Sequence, residues 1–428
     1  MRLTVQKYGG SSLSTIEKIN LVAQKVVETR RQAYGVVVVV SAMGDSTDNL
    51  LNLARQIAPA PSLRELDMLL ATGETVSTAL VTMAIRSLGE QAIALSGAQC
   101  GIITNDVHSN ARILEVHPQR IKQELDLGAI VVVPGFQGMS RQQEITTLGR
   151  GGSDTTAVAL AAALNAERCL IYTDVEGIYS ADPRHVPEAV RLDEVGAKEM
   201  QELAWHGAQV LKAEAVEFAN NNGVSVVVRS TFKDDPGTLV YPEPGAEVYR
   251  PKRASAAGVS GRKDLIRITI RAGAQTEFKR RGLFSTIAKY DLIFGTAGGA
   301  DVPGDLFISN LEIPDPYTFA EGIESQFDGA ITVLGDLGAV SIVGFGLGSR
   351  PARLLDAIEA LEEIQVPLIK SFSGRESFTF VIPSSRVDES VTRMHQVFVD
   401  RDRSPLNQMA TSPGSTSPLL LSERTEIL

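Results

Sequence analysis

From Leu3 to about Tyr241 the chain alternates short apolar runs with longer segments whose apolar residues recur every three or four positions. That alternation predicts a mostly parallel sheet covered by helices. Residues 36–40 are the clearest strand, because five consecutive valines suit a strand buried on both faces. Residues 130–133, 169–173 and 224–228 read the same way. Helical spacing predicts helices over 14–31, 48–57, 63–88, 155–165 and 197–221.

Between Pro242 and Gly261 the periodicity gives way to Pro, Gly, Ala and charged residues, which marks a domain boundary. Residues 1–245 therefore form a first domain. Beyond the boundary, strand-like runs at 265–270 and 340–344 are each followed by a helical pattern, and a further pair lies at 368–372 and 377–382. Two similar small α+β units are expected, over 262–336 and 337–400. The Ser-, Pro- and Thr-rich stretch 401–428 reads as a mobile tail.

Composition narrows the function classes. A formal net charge of −10 over 428 residues gives no electrostatic reason to bind nucleic acid. Any phosphate recognition must then be local. The two cysteines, Cys100 and Cys169, are far apart among apolar or small neighbours, so buried free thiols are expected rather than a metal cluster or disulfide framework. The N-terminus runs straight into a strand, and no apolar run suggests a bilayer span, so no membrane partner and a cytoplasmic location are expected.

Five polar segments carry candidate chemistry. In Lys7-Tyr8-Gly9-Gly10-Ser11-Ser12 a strand ends in paired glycines before a helix, so backbone amides can approach a phosphate and Lys7 adds a mobile positive charge. The lysine precedes the glycines and no Gly-Lys-Ser/Thr follows, so this is not the common phosphate loop. Ser41-Ala42-Met43-Gly44-Asp45-Ser46-Thr47-Asp48 follows the strongest strand, where ligands of parallel sheets gather; it equally fits a capped helix start. In Thr72-Gly73-Glu74 the acid suits a substrate ammonium, or an ordinary surface position.

Leu148-Gly149-Arg150-Gly151-Gly152-Ser153-Asp154 is a second glycine-rich helix entry. Its Arg150 can grip a carboxylate with two parallel hydrogen bonds, and Asp154 can orient a lysine or a metal ion. The fifth segment, from Thr173-Asp174 through Gly177 and Tyr179 to Asp182-Pro183-Arg184, follows a strand end and fits a nucleotide's ribose and base, with Arg184 near the phosphates.

In this order, and with Pro134-Gly135-Phe136-Gln137-Gly138 and Arg229-Ser230-Thr231-Phe232 between and after them, these segments resemble the aspartate kinase branch of the amino-acid kinase family. The resemblance covers the region from Leu3 to Tyr241. It implies an αβα sandwich with a mostly parallel central sheet, followed by two ACT-like units that associate into a homodimer or higher oligomer. By the same resemblance Lys7 stabilises the transferring phosphoryl group and Asp154 orients that lysine. Ser41, Thr47, Glu74, Arg150 and Ser153 hold the amino-acid substrate. Gly9, Gly10, Ser11, Thr173, Asp174, Tyr179, Asp182 and Arg184 contact ATP, with Mg²⁺ bridging the phosphates. The implied reaction is transfer of the γ-phosphoryl group of ATP to the side-chain carboxylate of aspartate.

Two departures from the family pattern stand out. Where the family has Gly-Ala-Lys-Val-Leu-His-Pro, this chain has Gly207-Ala208-Gln209-Val210-Leu211-Lys212-Ala213, so the second phosphate-binding lysine is a glutamine. Lys212, three residues further on what is expected to be one helix, is the candidate replacement, its long stem returning the ammonium to the phosphates. In the second C-terminal unit, which resembles the ACT domains, Ser349-Arg350-Pro351-Ala352 occupies the turn where the family usually has a glycine after the proline-containing loop, and Gln365-Val366-Pro367-Leu368 replaces the usual Asn-Ile contact segment. Proline at 367 removes a backbone donor, so weak or absent inhibition by lysine and threonine is expected. The alternatives are a kinase for another amino or hydroxy acid, and a catalytically weak regulatory partner.

Overall fold

The computed structural model describes residues 2–32, 34–149, 151–243, 256–271, 276–287, 292–296, 304–311, 313, 316–327 and 330–400. The chain enters through β1 (Arg2–Tyr8), takes a short 3-10 turn over Gly10–Leu13, and returns along α1 (Ile16–Arg31) to β2 (Tyr34–Val40). Thr15 caps α1 by accepting from Lys18 N at 3.3 Å, which satisfies one of the free amides of the first turn. All seven residues of β2 are buried, as its valine run demands. Then come α2 (Ser46–Ile57), α3 (Leu63–Ser87), β3 (Ala92–Ala94), β4 (Ile102–Thr104), β5 (Ile113–Val116), α4 (Gln119–Asp126) and β6 (Ile130–Pro134). The domain is completed by β7 (Gln137–Ser140), β8 (Ile145–Thr147), α5 (Gly152–Ala163), β9 (Arg168–Thr173), β10 (Glu194–Gly196), α6 (Ala197–Trp205), α7 (Ala213–Asn221), β11 (Val226–Ser230) and β12 (Thr238–Tyr241).

Eight of these strands form one sheet in the order β10-β12-β11-β9-β1-β2-β6-β3, parallel except where β12 runs against β11. Residues 37, 39, 131, 133, 169 and 171 point to a core shared with α4, α5, α6 and α7. Residues 36, 38, 40, 130 and 132 point the other way, onto α1 and α3. This domain is thus an αβα sandwich. From β1 the chain builds outward through β2 and β6 on one side and through β9 and β11 on the other, so the β1–β9 boundary is the topological switch. Crevices that hold ligands open outside the carboxyl ends of strands at such a point. A second, four-stranded sheet, β5-β4-β7-β8, flanks that end.

α3 has the length and composition of a bilayer-spanning helix, contrary to the expectation that no apolar stretch would reach that length, but half of its most apolar window is buried within the protein. It packs on the sheet and buries Asp67 and Glu74, so its apolarity is that of a core helix. Cys100 and Cys169 are free and buried.

The remainder forms a six-stranded sheet in the order β14-β15-β13-β16-β18-β17. Its elements are β13 (Gly258–Ile270), α8 (Thr276–Ile287), β14 (Leu292–Thr296), β15 (Gly304–Ser309), α9 (Pro316–Gln326), β16 (Ile331–Val343), α10 (Pro351–Glu363), β17 (Lys370–Ser373), β18 (Ser377–Pro383) and α11 (Val387–His395). The two thirteen-residue strands, β13 and β16, pair along nearly their whole length and join what the sequence suggested as two units. The division expected after residue 336 falls inside β16, and residues 258–261, read as linker, begin β13. α11 crosses so close that a Cβ on Gly261 would come 2.7 Å from Val387 Cγ1, and one on Gly338 2.5 Å from Val387 Cγ2. The tail 401–428 lies outside the described residues.

Candidate active site

β1 delivers Lys7 and Tyr8 to the switch point, where Lys7 pairs in register with Val39 on β2 and Ile171 on β9. On the opposite face of the sheet, toward α1 and α3, the rings of Tyr8 and Tyr172 stack at 4.6 Å and 5°. Gly9 N donates to Tyr172 O at 3.2 Å, and Gly44 N to Gly10 O at 3.1 Å. A Cβ on Gly10 would meet Ala42 O at 2.9 Å, so the close approach of the two strand ends requires glycine there.

Lys7 Nζ lies 2.6 Å from Asp154 Oδ1, with only 12% and 9% of the two side chains exposed. Asp154 sits in the first turn of α5, and the amino end of that helix adds its own attraction for negative charge. Gly135, which follows β6 and donates to Val40 O at 2.9 Å, holds Ser153 beside this pair: a Cβ at 135 would sit 2.5 Å from Ser153 Oγ. Gly151, with φ +73°, opens the helix, and a Cβ there would come 3.0 Å from Lys212 Cβ and 3.1 Å from Lys212 Cδ. Lys7, Ser153 and Asp154 therefore converge, while the stem of Lys212 lies against the glycine that opens α5 and its Nζ lies 3.8 Å from Glu214 Oε2. Arg150 lies outside the described residues, between Gly149 and Gly151.

On the β2 side, Ser41 N donates to Tyr8 O at 3.1 Å. Glu74 reaches the same loop from α3: its Oε1 accepts from Ala42 N at 3.2 Å, while Oε2 is buried without a hydrogen-bond partner among the described residues. Burial pushes this carboxyl up to about 7. A half-satisfied acid at a strand end suits a cationic ligand. Thr47 sits in the first turn of α2, partly buried.

On the β9 side, Thr173 Oγ1 donates to the exposed Asp174 at 3.0 Å. Thr231 N donates to Thr173 O at 2.8 Å, and the buried hydroxyls of Thr231 and Ser12 meet at 2.6 Å, tying the β11 end to the glycine turn. Further out, Tyr179 bridges to Arg191, and the exposed Arg184 is engaged by Asp182 at 2.6 Å, which holds the Asp182 carboxyl below its usual range. Tyr179, Asp182 and Arg184 all follow β9 in the chain, the first two half-buried and Arg184 exposed.

The expected continuous helix over 197–221 is broken, and this corrects the placement of Gln209 and Lys212. α6 stops at Trp205 because Gly207, at φ +116°, lets the carbonyl of Gly261 pass; a Cβ would lie 2.4 Å from that oxygen. Gln209 and Lys212 then fall in the irregular link to α7, so they share no helix face. Gln209 is exposed, whereas Lys212, the residue preceding α7, lies along Gly151.

Sequence reading overlooked several contributors. Lys18 Nζ donates to Ser11 O and Ser14 Oγ, both at 2.9 Å, and lies 5.1 Å from the Phe232 ring centroid, bracing the glycine turn. Gln137 Nε2 donates to Ala71 O at 2.9 Å, fixing α3 next to β7. The spacing of Asp67 and Glu74, seven residues and thus one helix face apart, was the one available signal for Asp67. Among the described residues no group of three or more His, Cys, Asp or Glu side chains converges to hold a metal.

The model of the amino acid kinase family matches residues 2–230. The chain is 42% identical to the aspartokinase of Mycolicibacterium smegmatis over 419 residues, covering 93% of this chain and 96% of that one. It is 39% identical to the aspartokinase of Corynebacterium glutamicum over 417 residues, with the same coverage. Among solved structures, the aspartate kinase of Synechocystis aligns with TM-score 0.53 and 38% identity over 92% of this chain and 69% of that one. E. coli aspartokinase III in complex with aspartate and ADP aligns with TM-score 0.77 over 92% and 99%; at 24% identity it speaks to the fold. The chain belongs to the amino acid kinase family.

Proposed function

We propose that this protein is an ATP-dependent aspartate kinase, phosphorylating the side-chain carboxylate of L-aspartate to give 4-phospho-L-aspartate and ADP. The observation that carries the reading is the buried Lys7–Asp154 pair at the switch point, with the half-satisfied Glu74 across the loop from it. The relatives named above, alike over nearly the whole chain, support the same chemistry.

The carboxylate oxygen of aspartate attacks the γ-phosphorus in line, forming an O–P bond as the bond to the β,γ-bridging oxygen breaks. The electron pair leaves with ADP. No proton need be removed from a carboxylate, so positioning and charge stabilisation supply the catalysis. Lys7, held by Asp154, meets the negative charge spread over the transferring group. Lys212 supplies the second cation in place of the glutamine at 209. Glu74 receives the substrate ammonium, Arg150 its α-carboxylate, and Ser41, Thr47 and Ser153 its remaining polar atoms. Gly9, Gly10 and Ser11 offer backbone amides to the phosphates, while Thr173, Asp174, Tyr179, Asp182 and Arg184 border the nucleotide.

Mg²⁺ fits a site with few protein carboxylates, since it keeps waters and phosphate oxygens as its main ligands. Asp174, exposed at the β9 end, is the side chain to hold it. When bound, the ion neutralises phosphate charge. We read the C-terminal sheet as a pair of ACT-like units that associates with a second copy, and the location as cytoplasmic.

ATP, Mg²⁺ and hydroxylamine with each candidate acid test the reading. Hydroxamate forming with aspartate is the expected result. Product only with another acid, or none with any, would overturn it.

A further inference from the structure

Asp67 is fully buried on α3, and both its oxygens are engaged by segments remote in sequence. Oδ1 accepts from Thr147 Oγ1 at 2.6 Å, from Ser109 N at 3.0 Å and from Ser109 Oγ at 3.2 Å. Oδ2 also accepts from Ser109 N at 3.0 Å and from Thr147 N at 3.2 Å, and lies 2.8 Å from His108 Nδ1. Ala111 N closes the knot by donating to Thr147 O at 2.8 Å. This is more than a core helix needs to satisfy one acid.

What the knot fixes is the approach to α5. Thr147 ends β8, and two residues later Gly149 packs against the 109–110 loop, where a Cβ would lie 3.2 Å from Asn110 Oδ1. Gly149 O then accepts from Gly152 N at 3.1 Å, setting the first turn of the helix that carries Ser153 and Asp154. One helix thus holds both walls of the pocket: Glu74 directly, and, one heptad earlier, the β8–α5 turn through Asp67.

We propose that Asp67 is a positioning residue for the acceptor side of the site, locking the β8–α5 turn relative to Glu74 without touching substrate. The role in acceptor affinity rests on the aspartate kinase reading. Asparagine at 67 keeps the volume but points an amide donor at the donors of Thr147 or Ser109, which opposes the knot directly.

The test compares wild type, Asp67→Asn, Thr147→Val and Thr147→Ser in steady-state kinetics against both substrates and in amide hydrogen exchange. For Asp67→Asn the expected KM for aspartate rises at least tenfold while that for ATP stays within twofold. Exchange accelerates at least tenfold over residues 108–111 and 145–153 and little elsewhere. Thr147→Val shifts both readouts in the same direction by less, and Thr147→Ser restores them. Equal rises in both KM values, or unchanged exchange across these segments, would overturn the proposal. Should Asp67→Asn fail to fold, Thr147→Val decides by the same criteria. Wild-type protein inactive on aspartate would instead refute the substrate reading, and the exchange measurement would still judge Asp67.

Discussion

The stem of Lys212 lies along Gly151 so closely that a methyl group on the glycine would come 3.0 Å from Lys212 Cβ. The chain has glutamine at 209 where the family pattern it resembles has lysine, and this contact lays the stem of another lysine along the glycine turn opening α5. Turnover should fall about 100-fold in Lys212→Ala, the scale of losing one preorganised charge near a transferring group. Gln209→Lys in that background should recover part of the loss. Steady-state kcat of the single and double variants checks both.

Gly151→Ala tests the same contact from the other side. Its φ of +73° is strained for alanine, and the new methyl displaces the lysine stem. We expect a stability loss of about 1–2 kcal/mol in denaturant titration, accompanied by a drop in kcat as large as that of Lys212→Ala.

Lys7→Ala should abolish most turnover, by about 1,000-fold, and should destabilise the fold by about 3 kcal/mol, since it leaves Asp154 buried without its partner. Adding Asp154→Ala should recover much of the stability and none of the activity. Denaturant midpoints and kcat of the two variants separate these effects.

Glu74 predicts a pH dependence of known sign. Burial raises its folded pKa to about 7 from 4.5, so its favourable contribution to stability is complete below 4.5 and is lost as the pH rises through 7. Glu74→Gln removes that penalty. It should stabilise the protein by about 1–3 kcal/mol at pH 8 and by nothing at pH 4, from thermal melts at both. The charged form is the one that binds ammonium. For wild type, kcat/KM for aspartate should therefore fall below pH 7, about tenfold per unit, and the variant's lower profile should be flat.

Much of the site's framework was legible because glycine turns and valine strands are local signals. β2, β6 and β9 follow from apolar runs; Lys7 stands near a strand end and Asp154 in the first turn of a helix, while Glu74 lies in the middle of α3. The break between α6 and α7 was not legible: Gly207 is visible in the sequence, but its reason is the passage of Gly261, a residue of the other domain. The first residues of β13 looked like linker because their partners, on β16, lie some eighty residues away. Asp67 was hidden for a similar reason. Its donors come from 108–109 and 147, and its seven-residue spacing from Glu74 marks the helix face it shares without revealing them.

Pro367 stands shortly before β17, at the edge of the C-terminal sheet, with no amide hydrogen to offer. Initial rates at millimolar lysine or threonine should stay close to the uninhibited value; inhibition beyond about tenfold by either would contradict this.

The most direct measurement is reductive trapping of the product. Borohydride converts an acyl phosphate to an alcohol, so ATP and aspartate with wild-type protein should give homoserine, and Lys7→Ala should give almost none. Trapping of the isomeric alcohol from the α-carboxylate, or no alcohol at all, would contradict the account.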